Sequence, residues 1–595
     1  MKVRHRKGIA NHPGPESCGG AREGAVEALT GESAGQPLSR EISNSGMPTL
    51  YRQAEGYTTA GVNRKSVGDP ARSETLSMPG SLLHRTWEVS SAPGQDRVGR
   101  GRQSRNPAVN ADEKSDTPVV LKNLPNKGAL PAEAAEGRGV AEGNAGEAPT
   151  HRTQSRGRVS MGLEGVREAA RRDRRVQFTA LLHHITPALL TESFYALRRD
   201  AAAGVDGVTW TSYEEGLASR VEDLHRRIHT GGFRATPSRR VYIPKADGRL
   251  RPLGIAALED KIAQQAVVTV LSAIYETDFM GFSYGFRPGR SQHQALDALY
   301  VAIDTRPVNW VLDADIRSFF DMLDHGWLMR FLEHRIADRR ILRLIGNWLK
   351  AGVIDEQGQR VPGERGTPQG AVISPLLANI YLHYVHDLWA HQWRRRHARG
   401  QVILVRYADD SVYGFQCEED ARGFLEDLKD RFRRFGLELH PEKTRLIEFG
   451  RYAAANRKRQ GLGKPETFDF LGFTHICGKT RKGRFAIVRR TVKKRMRATL
   501  TAIRERLRDL RQAPIPEQGN WLCRVLRGYF NYHAVPGNLK RLDGFRAEVT
   551  RAWRQSLMRR SQKHRMPWSR CNRLVRKYFP SVKLVHPYPT VRFAS

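Results

Sequence analysis

Cysteine is scarce in this sequence, and its few positions form no pattern that a metal or a disulfide framework needs. The 595 residues include five cysteines, which lie far apart without a CxxC pair or a Cys/His cluster at zinc spacing. The sequence therefore predicts neither a zinc module nor a disulfide-stabilised fold. This scarcity is typical of a protein in a reducing cytoplasm.

Long apolar runs are missing as well. No stretch approaches the roughly 18 consecutive apolar residues that a membrane-spanning helix needs. The basic amino terminus also lacks the apolar segment of a secretory signal. We therefore expect a soluble protein without a membrane partner.

Acidic residues are outnumbered by basic ones. Lys and Arg total 99 against 62 Asp and Glu, which gives a formal net charge of +37 and a pI near 10.5. Such an excess predicts a polyanionic partner whose counterions are released on binding. Nucleic acid is favoured over an acidic membrane surface because aromatic residues of the buried type accompany the basic segments.

Aromatic residues are missing between Trp87 and Phe178. Residues 1–165 are instead rich in Gly, Pro, Ser, Ala, Glu and Arg. A segment of this composition buries too little apolar surface to offset the entropy that is lost on ordering it. The sequence therefore predicts a mostly disordered extension ahead of the folded chain.

Further along, short apolar strands alternate with amphipathic helices. The predicted strands are "VNWVLDADI", "QVILVRY", "SVYGF" and "LELHPEKTRLIEF". Helices are predicted at "DHGWLMRFLEHRI", which Asp324 caps, and at "EDARGFLEDLKDRFRRFG", which Gly436 ends. The resulting β-α-β-β-α-β order is that of the split βαβ, ferredoxin-like arrangement.

Two adjacent carboxylates, Asp409 and Asp410, stand between two of these strands in "RYADD". The preceding "VILV" is apolar on both faces, which indicates a buried central strand whose end carries the pair. The strand order places Asp315, or less favourably Asp313, beside them, and three converging carboxylates suit Mg²⁺. The alternatives are an acidic turn on a solvated surface for the pair and a turn cap for Asp313.

The sequence resembles the reverse transcriptases, and most closely the proteins encoded by bacterial group II introns, over about residues 170–595. Eight short blocks that occur in the family's order carry the resemblance: "AAGVDGVT", "RRVYIPKADGRLRPLGI", "YGFRPGRSQHQAL", "DADIRSFFD", "GTPQGAVISPLLANIYL", "RYADD", "GLELHPEKT" and "FDFLGF". The resemblance implies an α+β right-hand polymerase with fingers, a ferredoxin-like palm and a helical thumb or maturase domain.

The expected domains follow from the same blocks. After the extension at 1–165 we expect fingers at 166–307, a palm at 308–475 and a basic helical thumb or maturase domain at 476–595. The reverse transcriptase domain as a whole is expected over about 225–475.

The resemblance also implies roles for individual residues of the palm. It makes Asp315, Asp409 and Asp410 ligands of two Mg²⁺ ions, which Mn²⁺ could replace, and adds the backbone carbonyl of Ile316. Lys443 in "HPEKT" would donate a proton to the departing pyrophosphate, with a surface lysine on an edge strand as the alternative.

A second group of residues is expected to bind the incoming nucleotide. The basic hairpin "RRVYIPKADGRLRPLGI" could clamp a triphosphate or could simply be solvated. In "TPQG" an amide and a glycine could position a base and admit the backbone, or could form a plain turn. An aromatic residue of "SFF" would exclude a 2′-hydroxyl, and its neighbour is more readily a core residue. The candidates are Arg239, Lys245, Arg251, Phe320, Gln369 and Gly370.

The segment "RVLRGYFNYH" resembles the maturase domain that grips intron RNA. Its arginines are expected to contact phosphates and its aromatic residues to stack on unpaired bases. Aromatic residues at helical spacing are also typical of a core, and that alternative remains open for them. The candidates are Arg524, Arg527, Tyr529, Phe530 and Tyr532.

The resemblance therefore implies an RNA-directed DNA polymerase of the bacterial cytoplasm that also helps its host intron splice and move. Its expected partners are the host group II intron RNA, an RNA template with a DNA primer, and deoxynucleoside triphosphates. We expect no carboxyl-terminal His-Asn-His endonuclease, because its motif and paired cysteines are missing. The rival readings are a splicing factor with a vestigial polymerase site and a retron or defence-associated reverse transcriptase.

Overall fold

A computed structural model describes residues 162–244, 250–561 and 565–594 of the chain. The predicted extension at 1–165 lies outside the described residues apart from its last four positions. Residues 162–172 form a helix, α1, whose Leu163, Val166 and Ala170 are buried. Ordered packing is therefore already present a few residues before the predicted boundary.

The first part of the described chain is mainly helical. Thr186 caps its second helix by accepting a hydrogen bond from the backbone N–H of Leu189, and Ser291 caps its last. The most buried element is a 21-residue helix whose apolar residues are packed on several sides. The elements are a 3₁₀ turn at Leu182–His184, α2 Pro187–Ala196, α3 Trp210–Glu214, α4 Leu217–Thr230, β1 Ser238–Pro244, β2 Leu250–Ile255, α5 Leu258–Asp278 and α6 Gln292–Thr305.

The middle part contains the predicted strand and helix pattern with additional elements inserted in it. Its elements are β3 Trp310–Ala314, α7 Phe319–Met322, α8 His325–Glu333, α9 Arg339–Ala351, β4 Val353–Ile354, β5 Arg360–Val361, α10 Ser374–Leu382, a π-helical turn at His383–Asp387, α11 Leu388–Arg396, β6 Val402–Tyr407, β7 Asp410–Phe415, α12 Glu418–Arg434 and β8 Arg445–Glu448. The predicted cap is confirmed, since Asp324 accepts from the N–H of Trp327. Gly436 follows α12 with a φ of 71°.

The four long strands of this part form one sheet in the order β6-β7-β3-β8. The predicted β-α-β-β-α-β order is found, and β3 lies in the middle between β7 and β8 with both pairings antiparallel. The last strand is shorter than expected, because only Arg445–Glu448 of "LELHPEKTRLIEF" is extended against β3. A second sheet, β2-β1-β4-β5, joins the hairpin of the first part to the inserted strands.

The last part of the chain combines a small sheet with a helical cluster. Its elements are α13 Ala453–Arg459, β9 Phe468–Phe470, β10 Phe473–Lys479, β11 Phe485–Thr491, α14 Lys493–Asp509, a 3₁₀ turn at Leu510–Gln512, α15 Ile515–His533, α16 Leu539–Met558, α17 Trp568–Tyr578 and α18 Pro589–Ala594. The helices share their own core around the fully buried Trp553.

The segment at 476–595, for which a basic helical domain is expected, also contains a strand near its beginning. Strand β11 lies at Phe485–Thr491 and pairs with β10. The buried side of this strand includes Arg489, whose guanidinium is paired with Asp297 of α6. Not every basic residue of this segment is therefore available to a polyanion, because Arg489 is buried and paired within the protein.

None of the helices within the described ranges is long and apolar enough to cross a membrane.

Candidate active site

The carboxylates Asp409 and Asp410 lie at the end of the β6–β7 hairpin. Tyr407 pairs with Asp410, so Ala408 and Asp409 form a two-residue turn. Ala408 has a φ of 56°, a left-handed conformation that glycine adopts readily and alanine does not. The strand before the turn is buried as predicted, and the turn presents the carboxylates at the edge of the core.

Asp315 reaches the same place from the neighbouring strand. The last paired residues of β3 and β7 are Ala314 and Ser411. One residue further along this register, Asp315 lies across from Asp410, and residues opposite each other in an antiparallel pair project from the same face. The structure therefore brings the end of β3 to the hairpin, as the strand order predicted.

The carboxylates act on one another electrostatically. Burial among the surrounding protein atoms raises the pKa of Asp410 well above its usual value, and the charges of Asp409, Asp315 and Asp313 raise it further. Much of the Asp410 side chain is nevertheless accessible to solvent, so an ion can approach it. This cluster holds more negative charge than it can keep without a cation.

Asp313 is not a turn cap. It lies within β3 opposite Arg445 of β8. Burial raises its pKa to about 7, and Arg445 opposes that rise while Asp315 and Asp469 add to it. Asp313 thus belongs to the negative field of the site, in a strand position behind Asp315.

A lysine ammonium contacts Asp315 in the structure. Lys443 Nζ pairs with Asp315 Oδ2 across a sequence separation of 128 residues. The backbone supports this contact, because His440 N donates to the Asp315 carbonyl at 2.8 Å and Ile316 forms a bridge with Leu439. The loop that carries Lys443 is therefore fastened directly to the segment that carries Asp315 and Ile316.

The donor set at this point suits a hard divalent cation. Its groups are carboxylate oxygens, which Mg²⁺ prefers, and Lys443 shows that the cluster already attracts a positive group. Among the described residues, however, no group of three or more His, Cys, Asp or Glu side chains is arranged so that it could hold a metal ion. The carboxylates thus form a negatively charged cluster that the ammonium of Lys443 partly neutralises.

The basic hairpin β1–β2 places two of the nucleotide-binding candidates on one face. Arg239 pairs with Ile255 and Arg251 with Ile243, so the two arginines project from the same side of the hairpin. Arg239 also donates to the carbonyl of Ala203 at 2.8 Å. Lys245, the third candidate, lies outside the described residues.

The loop with Gln369 and Gly370 is bound to that hairpin. The Gln369 carbonyl accepts a hydrogen bond from the N–H of Gly254 at 2.7 Å. Gly370 has a φ of 108°, and a Cβ there would lie 3.0 Å from the Gly254 carbonyl oxygen, so a side chain would be strained. A turn alone would not need this close approach.

Phe320 borders the same loop, because its carbonyl accepts from the N–H of Thr367 at 2.8 Å. Its ring is partly exposed, while Phe319 beside it is 2% exposed and belongs to the core. Phe320, Gln369, Gly370 and the hairpin arginines thus belong to one connected stretch of structure.

The expectation that thumb aromatics stack on RNA is wrong. Tyr529, Phe530 and Tyr532 are 8%, 4% and 6% exposed. Tyr529 stacks on Phe545 with ring centroids 3.9 Å apart, and the Tyr532 hydroxyl donates to the Leu471 carbonyl at 2.7 Å. Burial of these apolar rings stabilises the core, and it leaves no ring face exposed on which a base could stack.

The two arginines of that segment behave differently. Arg524 and Arg527 are exposed on the outer side of α15. They lie three residues apart, which places them on the same face of the helix. They are therefore accessible to a polyanion.

Two residues at the site were missed in the sequence. Arg495, in the first turn of α14, lies close enough for its positive charge to oppose the rise in the pKa of Asp410. Arg406 is fully buried beneath the hairpin. Only Arg406 carried a signal, since a charged residue interrupts the apolar run of its strand.

Comparison with known proteins identifies the chain's relatives. Residues 243–475 match the family model of reverse transcriptase (RNA-dependent DNA polymerase). Protein YkfC of Escherichia coli (strain K12) is 35% identical over 343 residues, which cover 50% of this chain and 83% of that protein.

Proteins of introns are also similar. The group II intron-encoded protein LtrA of Lactococcus lactis subsp. cremoris is 30% identical over 46% of this chain and 48% of its own length, so the chain matches about half of it. An uncharacterised 91 kDa protein in the cob intron of Schizosaccharomyces pombe is 39% identical over 167 residues, 28% of this chain and 20% of that protein.

Among solved structures, telomerase from Candida albicans overlaps 65% of this chain and 63% of its own, with a TM-score of 0.35 and 12% identity. That overlap is too loose to characterise the fold. The sequence matches show the family: this chain belongs to the reverse transcriptase (RNA-dependent DNA polymerase) family.

Proposed function

We propose that this protein copies intron RNA into DNA at the carboxylate cluster by nucleotidyl transfer, and that it binds its host group II intron RNA to assist splicing and retrohoming. The observation that carries the polymerase assignment is the convergence of Asp315, Asp409 and Asp410 at the end of the β6–β7 hairpin. It stands in a chain with a net charge of +37, as binding to RNA requires.

Asp315, Asp409 and Asp410, with the backbone carbonyl of Ile316, would hold two Mg²⁺ ions, or Mn²⁺ in their place. Bound there, the ions would supply activation of the primer 3′-hydroxyl and neutralisation of the leaving pyrophosphate. The carboxylates contribute the negative field that makes this position selective for cations. The hairpin and the end of β3 keep the oxygens on one face of the sheet.

Lys443 would protonate the pyrophosphate as it leaves. Its ammonium already lies at Asp315, at the point where the carboxylates converge. A cationic acid in this place both neutralises developing charge and donates a proton. Lys443 is exposed and lies just before the edge strand β8, as the alternative of a plain surface lysine would also have it. Its contact with Asp315 is the observation that favours the catalytic role.

The incoming deoxynucleotide would lie between the basic hairpin and the loop bound to it. Arg239, Lys245 and Arg251 would contact its triphosphate, Gln369 would position its base, and Gly370 would let the backbone come close. Phe320 would lie under its sugar, where a 2′-hydroxyl would not fit. The hydrogen bond between Gly254 and Gln369 supports this grouping.

Intron RNA would be held by the basic helices at the carboxyl-terminal end of the described chain. Arg524 and Arg527 are exposed there and would contact phosphates. The aromatic residues that follow them, Tyr529, Phe530 and Tyr532, would support the helix from its buried side. The domain layout of fingers at 166–307, palm at 308–475 and thumb at 476–595 belongs to the same proposal.

The test is the Asp409→Asn variant in a primer extension assay on an RNA template. We expect DNA synthesis to fall by at least about 10³-fold, because removal of one charge leaves the cation site short of a ligand. Binding of intron RNA should remain unchanged. Asp430→Asn serves as the matched control, because Asp430 is an exposed carboxylate on α12.

Undiminished synthesis by Asp409→Asn would overturn the polymerase assignment. A wild-type protein that supports intron splicing while making no DNA would instead favour the splicing factor with a vestigial site. Failure to bind intron RNA, with synthesis retained, would point to another kind of reverse transcriptase.

A further inference from the structure

A fully buried arginine lies directly beneath the catalytic hairpin. Arg406 is the penultimate residue of β6, and its side chain is 1% exposed. A guanidinium has five N–H donors, and here each has an acceptor: Asp387 Oδ1 (2.7 Å), Asp387 Oδ2 (2.5 Å), Asn379 Oδ1 (3.1 Å), Ser283 Oγ (2.7 Å) and the Ala408 carbonyl (2.9 Å).

The partners of Arg406 come from separate parts of the chain and are themselves held in place. Asp387 is fully buried in the π-helical turn and also contacts His386 Nδ1 at 2.7 Å, while His386 Nε2 contacts the Tyr413 hydroxyl at 2.7 Å. Asn379 donates to the Gly285 carbonyl at 2.8 Å. A rigid frame therefore surrounds the guanidinium.

One of the five contacts reaches the turn that carries the metal-binding carboxylates. Arg406 binds the carbonyl of Ala408, the residue with the strained φ of 56° that directly precedes Asp409. The backbone of Gly285 lies against the same residue, since a Cβ on Gly285 would be 2.2 Å from Ala408 N. The turn is thus held by a hydrogen bond from the Arg406 side chain and by packing against the backbone of Gly285.

Stability alone does not account for this arrangement. A buried ion pair usually adds no more stability than apolar residues of similar volume would. Strained backbone persists where the surroundings enforce it, and such strain is typical of functional sites. The unusual feature is therefore the connection between the ion pair and the turn.

We propose that Arg406 is a positioning residue, which holds the Ala408–Asp409 turn in its strained conformation so that Asp409 and Asp410 face Asp315. The proposal rests on the proposed polymerase function of these carboxylates. Arg406 itself touches neither substrate nor metal ion. It acts through the backbone carbonyl of Ala408.

The first experiment compares Arg406→Lys with the wild-type protein in primer extension over a range of Mg²⁺ concentrations. A lysine keeps the charge that Asp387 needs, but one ammonium cannot reach all of the guanidinium's acceptors. We expect the Mg²⁺ concentration at half-maximal rate to rise about tenfold or more, as for other supports of metal ligands. The affinity for primer and template should stay within about twofold.

A second variant separates positioning from general stability. Ala408→Gly removes the strain at the left-handed φ, so the turn no longer depends on Arg406 to hold it. In the Arg406→Lys background, Ala408→Gly should therefore recover at least about threefold of the lost Mg²⁺ affinity. A purely structural role for the ion pair predicts no recovery, since Asp387 and Asn379 remain imperfectly paired.

Arg422→Lys is the matched control, because Arg422 is an exposed arginine that pairs with Glu418 on α12. Unchanged Mg²⁺ dependence of folded Arg406→Lys protein would overturn the proposal, and so would absence of rescue by Ala408→Gly. Should Arg406→Lys not fold, the single variant Ala408→Gly is compared with the wild-type protein and decides the matter. A higher Mg²⁺ requirement than that of the wild type would overturn the proposal, because it would show that the strained turn is not what limits metal binding.

Asp409→Asn, measured in the same assay, distinguishes failure of the proposed polymerase function from failure of the positioning role of Arg406. If Asp409→Asn retains synthesis, the polymerase site itself is wrongly placed. If Asp409→Asn is inactive and Arg406→Lys behaves as wild type, only the positioning role fails.

Discussion

At the scale of single residues, the contact between Lys443 and Asp315 joins two roles that the sequence had kept separate. The ammonium neutralises a carboxylate of the cluster, and in the proposed mechanism it would give a proton to the leaving pyrophosphate. A cation in this position competes with a metal ion for Asp315. The lysine should therefore affect catalysis and metal affinity in opposite directions.

We predict that Lys443→Ala lowers the rate of single-nucleotide incorporation by about 10²-fold, because general acid catalysis is lost. The Mg²⁺ concentration for half-maximal rate should fall, because Asp315 no longer has a competing cation. Rapid-quench kinetics at several Mg²⁺ concentrations would measure both. Lys429→Ala, at an exposed lysine of α12, is the control, and an increased Mg²⁺ requirement in Lys443→Ala would contradict the prediction.

At the scale of elements, several helices and loops are held by single carboxylates that accept more than one backbone N–H. Asp338 caps α9 through the N–H of Arg340 and also accepts from Leu181 and Leu182, over 150 residues earlier in the chain. Burial raises its pKa, but these hydrogen bonds and the Arg340 side chain outweigh that effect and lower it to about 2. One side chain thus fixes the position of two elements.

We predict that Asp338→Ala lowers the free energy of unfolding at pH 7 by about 2 kcal/mol, since buried N–H groups lose their acceptor. The folded-state pKa is depressed, so the carboxylate's contribution is present above its ordinary value near 3.8 and is lost as pH falls through about 2. Thermal unfolding of both proteins between pH 7 and pH 2 would show it. A difference in stability that stays constant with pH would contradict the role of the charge.

At the scale of the whole molecule, the excess of positive charge occurs in a chain whose described residues form cores of buried hydrophobic side chains. The helices near the carboxyl end have their own hydrophobic core. Tyr532 of α15 connects them to Leu471 through its hydroxyl and to His293 of α6 through its carbonyl, at 2.8 Å. Aromatic residues therefore join domains here, while the arginines beside them remain available to RNA.

We predict that replacing both Arg524 and Arg527 with Gln weakens binding of intron RNA. The slope of log affinity against log salt is negative, and its magnitude should fall by about 1 to 2, as expected for two lost phosphate contacts. Filter binding at several salt concentrations would measure this. Tyr529→Phe is the control, because its hydroxyl lies in the core. An equal loss of affinity in Tyr529→Phe, or no change in slope for the double variant, would contradict the assignment.

The sequence alone determined the order of strands and helices around the carboxylates, and the proposal that Asp315, Asp409 and Asp410 form the site comes from it. Both follow from local periodicity and from motifs whose residues lie close together in the chain. The proposal of Phe320 rather than Phe319 also comes from the sequence, and the structure places Phe319 in the core.

Only the tertiary structure decided which side of each helix and strand faces inward. The interleaving of arginine and aromatic residues in "RVLRGYFNYH" fits an RNA-binding face and a core equally well. The structure decides for the core in the case of Tyr529, because α16 packs against its ring. Likewise Arg406 forms an ion pair with Asp387, and Lys443 with Asp315, between segments whose proximity local sequence patterns do not predict. Such pairs form because buried charges must be compensated, and the compensating group can come from any part of the chain that folding brings near.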